Sequence, residues 1–362
     1  MHRQLAGGGT EADLVHMAEG LAARGHEMHV FCARAVGAPG GVRTHTVPVL
    51  RAGRLARLLS FAVLAPRLAA RHGYDLLVGF GRTLSQDVVR VGGGTHASYL
   101  ARMRAAGVRG AALGPYHRAI LWLEGRMFAP GAYRLVLAVS EHAATEVHTD
   151  YAVPTGRVRV VYNGVDLERF CPGRQGGPAQ ALRATLGIGP AERMCLGVGS
   201  GFVRKGFDLL LRLWQDAPPA GTHLVLVGRD ERLDRFRREA AAGPRVHVVG
   251  PRDDVPVWMA AADVVCVPSR QEAFGNVVLE AMASGTPVVT SRLVGAAELL
   301  GPPLDALVVE RPDDLSALGR ALALALGDQH GTYAAAARAA AEERPWSRHL
   351  DELERLLEGC AR

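Results

Sequence analysis

The sequence predicts an α/β protein built from two doubly wound domains of parallel sheet. Short apolar stretches of strand length alternate with helix-length amphipathic stretches along the chain. Most of these strand-like stretches are apolar throughout, which is typical of parallel strands covered on both faces. The 362 residues are enough for two ordinary domains. We expect the two domains to face each other across a cleft, with ligands at the carboxyl ends of the strands.

The elements of the first half follow in order. Residues 11–24 form an amphipathic pattern that ends at Gly25, a natural C-cap, and residues 141–149 form a second helical pattern. Strands are predicted at 28–33, 75–80 and 134–140.

The second half is more regular. Strands are predicted at 194–198, 224–227, 246–249, 264–267, 288–290 and 307–309. Helices are predicted between and after them, at 207–215, 232–242, 255–262, 276–283 and 315–326. Residues 171–180 are rich in Gly and Pro, so we place the linker near 163–178. The predicted domains are 1–165 and 166–344, followed by a C-terminal segment 345–362 whose residues 346–357 are helical.

Bulk composition favours a cytoplasmic protein. The five cysteines are scattered without a Cys-x-x-Cys pair, as expected for reduced thiols rather than a disulfide framework or a zinc site. Residues 1–10 lack the apolar core of a signal peptide, and no apolar run is long enough to cross a bilayer.

Charge is unevenly distributed. Residues 1–165 carry 19 Arg and 10 acidic side chains, a formal charge of +9, so the remainder carries −3 of the total +6. We expect the first half to meet an anionic partner, specifically the inner face of the cytoplasmic membrane, and we expect no nucleic acid partner. The membrane hypothesis rests on a helical pattern near 51–62 in which Arg51, Arg54 and Arg57 border an apolar face; a core-packing helix with a solvated basic rim is the alternative.

Only one of the 42 basic residues is a lysine. Lys205 ends the glycine-rich stretch 199–206, between a predicted strand and a predicted helix. Glycines there let backbone N–H groups approach an anion, and Arg204 and Lys205 supply positive charge. Such a loop is a weak signal alone.

A second loop carries two carboxylates. Residues 271–276, Gln-Glu-Ala-Phe-Gly-Asn, follow a predicted strand and begin a helix that contains Glu280. Glu272 and Glu280 can accept hydrogen bonds from sugar hydroxyls, although helix-start and capping acids are common. A third loop at 251–255, which includes Arg252, can frame a base by backbone hydrogen bonds.

Together these loops resemble the family 4 glycosyltransferases of the GT-B fold. The resemblance is carried by residues 268–289 with Glu272 and Glu280 eight positions apart, and by 201–206, 162–166 and 250–263. More loosely, residues 8–13 and 78–81 resemble bacterial lipopolysaccharide-core glucosyltransferases of this family.

The resemblance implies a role for each matching residue. Arg204 and Lys205 would bind the donor diphosphate, Glu272 the transferred sugar and Glu280 the nucleotide ribose. His96 would lie near the donor sugar and Asp13 near the acceptor or the sugar. The implied donor-binding set also includes Gly8, Gly9, Gly201, Arg252, Phe274, Gly275 and Asn276.

The implied reaction is the retaining transfer of a hexose from a nucleotide sugar, with UDP-glucose as the first choice, to a cell-envelope glycolipid or polysaccharide. UDP-N-acetylglucosamine and GDP-mannose stay open as donors. Because there is no Asp-x-Asp motif of the kind that binds a metal, we expect no metal and no other cofactor, with the two cations replacing a divalent ion.

The N-terminus departs from the family pattern, in which a short apolar strand precedes the Gly-Gly loop. Residues 1–6 are too short and too polar to form it. We therefore expect the true start to lie upstream, and restored upstream residues to increase stability.

Two other functions compete with glycosyl transfer. A sugar-nucleotide epimerase shares the architecture, and a catalytically inactive nucleotide-sugar-binding subunit would fit the missing strand. A nicotinamide dehydrogenase is disfavoured, because no Gly-x-Gly-x-x-Gly with a well-placed acid follows a strand.

Overall fold

The computed structural model describes residues 9–34, 39–108, 114–172, 176–241, 243 and 245–361. The chain divides into two compact units, one formed by Met1–Gly164 with Trp346–Arg362 and the other by Val165–Pro345. The C-terminal helix thus belongs to the first unit, although the sequence analysis treats it as a separate segment. All strand pairs within the sheets are parallel, so the predicted α/β class is confirmed.

Among its described residues, the first unit has two parallel sheets. One pairs β1 (Met28–Cys32) with β2 (Val42–Thr46). The other has the order β3-β4-β5-β6, from β3 (Val78–Gly79), β4 (Val88–Val91), β5 (Leu135–Ala138) and β6 (Val158–Val160). Its helices are α1 (Gly9–Ala23), α2 (Gly53–Ala69), α3 (His96–Ala105), α4 (Pro115–Met127), α5 (Glu141–Tyr151) and α14 (Trp346–Ala361).

The predicted strand at 75–80 is wrong in extent, because only β3 is a strand. The backbone N–H of Leu77 donates to the carboxylate of Asp87 at 2.9 Å instead of to a neighbouring strand. Three strands of the first unit, β2, β4 and β6, were not predicted from the sequence, and the residues of β2 and β4 show why. Strand β2 is half-exposed and polar, and β4 contains Arg90, a charged residue that the fold buries to 6% exposure.

Helix α14 is an integral part of the first unit. Gly20 of α1 lies so close to it that a Cβ there would be 2.4 Å from Leu350 Cδ1. Leu350 and Leu353 join Met17 of α1 in one buried apolar cluster. At the rim of this contact, Arg24 pairs with Glu354 at 2.7 Å. The last helix therefore completes the core of a unit whose other residues come from the start of the chain.

The second unit is built on one six-stranded parallel sheet of order β12-β11-β10-β7-β8-β9. The strands are β7 (Arg193–Val198), β8 (Thr222–Val227), β9 (Val246–Gly250), β10 (Val264–Val267), β11 (Val288–Ser291) and β12 (Val308–Val309). The helices are α6 (Gly177–Thr185), α7 (Phe202–Lys205), α8 (Phe207–Asp216), α9 (Leu233–Ala240), α10 (Val255–Ala261), α11 (Asn276–Ala283), α12 (Leu315–Leu326) and α13 (His330–Glu342).

This strand order fixes where a ligand site can form. From β7 the chain moves outward through β8 to β9, then crosses back to β10 and moves outward the other way. The loops after the neighbouring strands β7 and β10 therefore diverge, and such a switch point leaves a crevice at the carboxyl ends. Within the described residues, no helix has both the length and the apolar character needed to cross a bilayer.

Candidate active site

The loop after β7 is shaped by glycines that no other residue can replace. Gly206 has φ +75°, and a Cβ on it would lie 2.1 Å from the carbonyl oxygen of Pro268, just past β10. Gly199 has φ +154°, and a Cβ there would lie 2.6 Å from Lys205 Cε. Because both positions exclude a side chain, this loop packs directly against the end of β10 and against the Lys205 stem.

The two sequence-predicted cations converge on one carboxylate. Lys205 Nζ lies 2.6 Å from Glu272 Oε2, and Arg204 Nη1 donates to the same oxygen. Arg204 also donates to the carbonyls of Gln271, at 3.2 Å, and Ser200, at 3.0 Å. The structure thus brings Glu272 to Arg204 and Lys205 at the switch point, although Glu272 lies 68 residues after Arg204 in the sequence.

Opposing effects set the protonation of this cluster. Burial raises the pKa of Glu272, but Arg204 and Lys205 more than compensate and lower it to about 2. Burial lowers the pKa of Lys205, against the attraction of Glu272 and, more weakly, of Glu280. With Glu272 ionised between two cations, these three groups keep a net positive charge. This charge can attract an anion, and the attraction is strong where water is excluded.

The backbone around Glu272 is fixed by the segment after β11. Glu272 N–H donates to Leu293 at 3.1 Å, and Gly295 N–H donates to the Glu272 carbonyl at 3.1 Å. Phe274 is 2% exposed, and its carbonyl accepts from Ala296 at 2.8 Å. The turn then passes through Gly275, φ +94°, into α11, which begins at Asn276 and carries Glu280. These predicted donor-binding residues therefore form one rigid strand-to-helix connection.

Two supporting residues were missed by the sequence analysis. Arg270 forms a bidentate pair with Asp208, at 2.6 and 2.8 Å, and its backbone N–H donates to the Arg204 carbonyl at 2.8 Å. It clamps the loop after β10 to the start of α8. Asp230, after β8, accepts from Phe202 N–H at 2.7 Å and holds the start of α7. Arg270 lies within residues 268–289, the stretch that carries the family resemblance, and this position was the only sign in the sequence that it could matter.

Arg252 lies after β9, the edge strand, two strands away from β7. Its guanidinium forms a bidentate pair with Asp254, at 2.9 and 2.8 Å, and lies over the Trp258 ring. Gly201, by contrast, lies in the loop after β7, and its backbone N–H donates to the carbonyl of Arg229 at 2.9 Å. The role of Arg252 in framing the base stays a prediction.

In the first unit, Asp13 is buried at 3% exposure. Asn163 Nδ2 donates to its Oδ2 at 3.0 Å, and Arg90 Nη2 lies 3.6 Å from the same oxygen and donates to Asn163 Oδ1 at 2.7 Å. This triad ties α1, β4 and the segment after β6 together. Gly9 begins α1, and Gly8 falls outside the described residues.

His96 begins α3, with Thr95 as its N-cap. Its ring Nε2 lies 2.9 Å from His117 Nδ1, and its backbone N–H donates to the buried carboxylate of Glu124 at 2.9 Å. Burial, together with the charge of Arg82 and the neighbouring His117, lowers the pKa of His96 to about 4. The imidazole is therefore neutral at pH 7. The sequence analysis did not single out Glu124, the buried acid that accepts from the His96 backbone.

Comparison with known proteins agrees with this architecture. Residues 7–169 match the Glycosyltransferase Family 4 model, and residues 192–328 match the model described as Glycosyl transferases group 1. The chain is 26% identical to lipopolysaccharide glucosyltransferase WaaG of Escherichia coli (strain K12) over 88% of this chain and 86% of that protein. It is 32% identical to D-inositol 3-phosphate glycosyltransferase of Jonesia denitrificans over 58% of this chain and 53% of that protein, so it spans about half the length of that relative.

Solved structures lead to the same family. The crystal structure of WaaG, a glycosyltransferase involved in lipopolysaccharide biosynthesis, superposes with a TM-score of 0.82 at 25% identity, covering 98% of this chain and 97% of that one. Anabaena Alr3699/HepE in complex with UDP-glucose has the same fold, with a TM-score of 0.74 at 22% identity over 99% of this chain and 100% of that one. The two family models together match most of the chain, and the protein belongs to the family 4 glycosyltransferases of the GT-B fold.

Proposed function

We propose that this glycosyltransferase moves a hexose, with retention of configuration, from a nucleotide sugar to a cell-envelope glycolipid or polysaccharide. The observation that carries the proposal is the pairing of Arg204 and Lys205 on the single carboxylate of Glu272 at the β7–β10 switch point. That arrangement supplies a preformed positive site where a nucleotide diphosphate would gain charge as its bond to the sugar breaks.

In this proposal Glu272 has two successive partners. Without donor, its carboxylate neutralises part of the charge of Arg204 and Lys205. When a diphosphate arrives, the cations turn to the phosphate oxygens, and Glu272 becomes free to accept hydrogen bonds from the sugar hydroxyls. Glu280, one turn into α11, holds the ribose, while the connection through Gly275 and Asn276 borders the phosphates.

The reaction needs no metal in this mechanism, because two fixed cations oppose the developing charge. The leaving phosphate takes the proton of the acceptor hydroxyl on the face that it vacates, so that the new bond forms with retention. His96, neutral at pH 7, is suited to accept or donate one hydrogen bond to the sugar rather than to carry charge. The residues of the chain therefore act by binding, orientation and electrostatic stabilisation.

Two named relatives support the choice of substrates. WaaG is a lipopolysaccharide glucosyltransferase, and Alr3699/HepE is solved with UDP-glucose. We accordingly propose UDP-glucose as donor and a lipid-linked sugar as acceptor, with the enzyme in the cytoplasm at the inner face of the cytoplasmic membrane.

The first unit offers a surface for that location. Arg51, Arg54 and Arg57 are exposed at or just before α2, and Arg54 lies over the Tyr116 ring at 4.7 Å. Leu50 is 62% exposed and Trp122 of α4 is 50% exposed. The apolar face of α2 itself is not available, because Leu58 and Ala62 pack against α4 in the core. Contact with anionic headgroups would therefore fall to the arginine rim and the exposed Leu50 and Trp122.

Thermal denaturation with separate nucleotide sugars tests the donor. A ligand bound only by the native state increases the free energy of unfolding, by about 2.7 kcal/mol at 100 times its Kd. The melting temperature rises as a result. UDP-glucose should shift the transition more than UDP-N-acetylglucosamine or GDP-mannose at equal concentration. A larger shift with either of the others would reassign the donor.

Product analysis separates the three functions. Incubation with UDP-glucose and a lipid-linked core oligosaccharide should give UDP and an elongated acceptor. Conversion of UDP-glucose to an epimer without acceptor would instead support the epimerase. Donor binding without any product, with every acceptor tried, would support the inactive binding subunit.

A further inference from the structure

Three histidines from separate segments of the first unit converge on one point. His29 is the second residue of β1, His45 lies in β2 and His72 follows the end of α2. One ring nitrogen of each lies within 4.8 Å of the corresponding nitrogens of the other two. The ring centroids are 4.3 Å apart for His45 and His72, and 5.0 Å apart for His29 and His45. Three imidazoles at such distances can bind one ion in common.

The surroundings hold two of the rings in place. Phe31 stacks on His45, with centroids 4.6 Å apart and planes at 12°. Glu27 Oε1 lies 3.2 Å from His29 Nε2, and the same carboxylate oxygen accepts from Arg43 Nη1 at 2.5 Å. A carboxylate paired with a histidine is the usual second partner of a metal-bound imidazole, because it fixes the ring orientation.

One nitrogen of the cluster has no hydrogen bond. Among the described residues, His45 Nε2 is buried without a partner. A buried polar atom without a hydrogen bond is unfavourable, because folding removes it from water without supplying another partner.

We propose that His29, His45 and His72 bind one divalent transition metal ion such as Zn²⁺, with water at the fourth position. Three imidazoles and an open position form a recurrent tetrahedral zinc set. At Zn–N distances of about 2.0–2.1 Å the three nitrogens would stand roughly 3.3 Å apart. The three nitrogens, which lie within 4.8 Å of one another, would therefore move closer together on binding, and His72 is exposed and has room to turn.

The bound ion would cross-link β1, β2 and the segment after α2. Strands β1 and β2 form the two-stranded sheet of the first unit, and His72 lies in the segment after α2. None of these parts belongs to the loops after β7 and β10 that carry Lys205 and Glu272. The proposed ion therefore involves none of the residues assigned to the transfer reaction, and the proposal stands or falls independently of the donor and acceptor.

Cobalt titration of the chelator-treated full-length protein tests the site. Tetrahedral Co²⁺ bound by imidazoles absorbs visible light, and we expect this absorption to saturate at one ion per chain and to vanish when Zn²⁺ is added. H29Q, H45Q and H72Q should each weaken Co²⁺ binding by about 10-fold or more, at least the effect of losing an outer-shell partner. His72 is exposed, so H72Q tests ligation even if H45Q disturbs packing.

A matched control comes from another group of possible ligands, His26, Glu354 and Glu358. H26Q should leave the cobalt absorption and affinity as in the native protein. Unchanged binding in H72Q would overturn the proposal, and so would loss of binding in H26Q, which would place the ion beside α14. Zn²⁺ should also raise the melting temperature of the native protein but not of H72Q.

Discussion

Glu272 organises the charge of the candidate site at the scale of single residues. Its carboxylate lies between Arg204 and Lys205 and pairs with both, at the position that we propose for the donor diphosphate. Desolvation makes an unpaired buried ammonium costly, which explains why a nearly buried Lys205 is accompanied by an acid. In our proposal the diphosphate can replace the Glu272 carboxylate as the partner of Arg204 and Lys205, so neither cation is left unpaired during the exchange.

Removal of Lys205 tests the developing-charge role. Because Lys205 is expected to act on charge that appears as the bond breaks, K205A should lower kcat as well as donor affinity. The loss in kcat/KM should be on the order of 10²-fold or more, as for other removed oxyanion stabilisers. Steady-state kinetics of the purified variant measure it. Near-normal turnover would exclude the diphosphate role, and K205R should recover only part of the loss, since a planar fork replaces a point charge.

Substitutions of Glu272 and Glu280 should affect different kinetic parameters. E280Q should mainly raise KM, if the ribose is held equally in the ground and transition states. E272Q should lower kcat more, since the sugar moves along the reaction coordinate. E272Q should also bind UDP about 5-fold tighter, because a competitor worth roughly 1 kcal/mol for the same cations is gone. Calorimetry with UDP and steady-state kinetics check these outcomes; identical behaviour of the two variants would contradict the assignment.

At the scale of elements, the site depends on connections that no single motif reveals. The glycine-rich pattern and the Glu272–Glu280 string could be predicted from sequence, because each is local. The Arg270–Asp208 clamp and the Glu124–His96 contact could not, because each joins residues 62 or 28 positions apart and only the packing of loops brings them together. Strand β4 was missed for the same reason. A charged residue such as Arg90 is not expected in a buried strand, and its partners Asn163 and Asp13 are distant in the sequence.

The clamp gives an element-scale prediction. R270Q frees the loop after β10 from the start of α8 and should lower kcat/KM roughly 10- to 100-fold through misplacement of Arg204 and Glu272. R292Q is the matched control, since Arg292 is an exposed arginine paired with Glu310 at 3.2 Å just after β11. Equal activity of R270Q and R292Q would show that the clamp does not position the site.

Helix α14 carries a pH-sensitive contact. His349 is buried, its Nδ1 lies 2.7 Å from the carbonyl oxygen of Tyr162, and burial together with Arg90 lowers its pKa to about 4. An unfolded histidine gains its proton near pH 6.5, so the folded state holds fewer protons between about pH 6.5 and pH 4. Stability from this group is complete above pH 6.5 and declines as pH falls towards 4.

Urea unfolding at pH 7 and pH 5 measures this loss. For His349 it should be about 2 kcal/mol over that interval. H349N keeps a donor for the Tyr162 carbonyl but cannot be protonated, so its stability should fall by about 2 kcal/mol less than that of the native protein. The same pH dependence in both proteins would assign the effect to other groups.

At the scale of the whole molecule, charge and function are divided between the two halves of the chain. The sequence places +9 on residues 1–165 and −3 on the remainder, although the donor diphosphate is expected to bind the more acidic half. We expect the local cations Arg204 and Lys205 to suffice for the donor, and the excess of arginine in the first half to serve another anionic partner. The partner that we propose is a surface of anionic lipid that presents the acceptor, because its negative charge is opposite to the charge of the first half.

Vesicle sedimentation tests this division. The protein should bind vesicles that contain anionic lipid but not neutral vesicles, and added salt should weaken binding, because each surface arginine contributes only about 1 kcal/mol within a Debye length. The triple change R51E, R54E and R57E should abolish most of the binding. The matched triple R238E, R292E and R311E, at exposed arginines of the second unit, should reduce it much less. Equal binding to the two kinds of vesicle, or equal loss in the two triple variants, would show that the basic half does not attach the protein through these arginines. A much larger loss of binding in the first triple variant than in the second would mean that the positively charged half of the chain is the half that contacts the lipid.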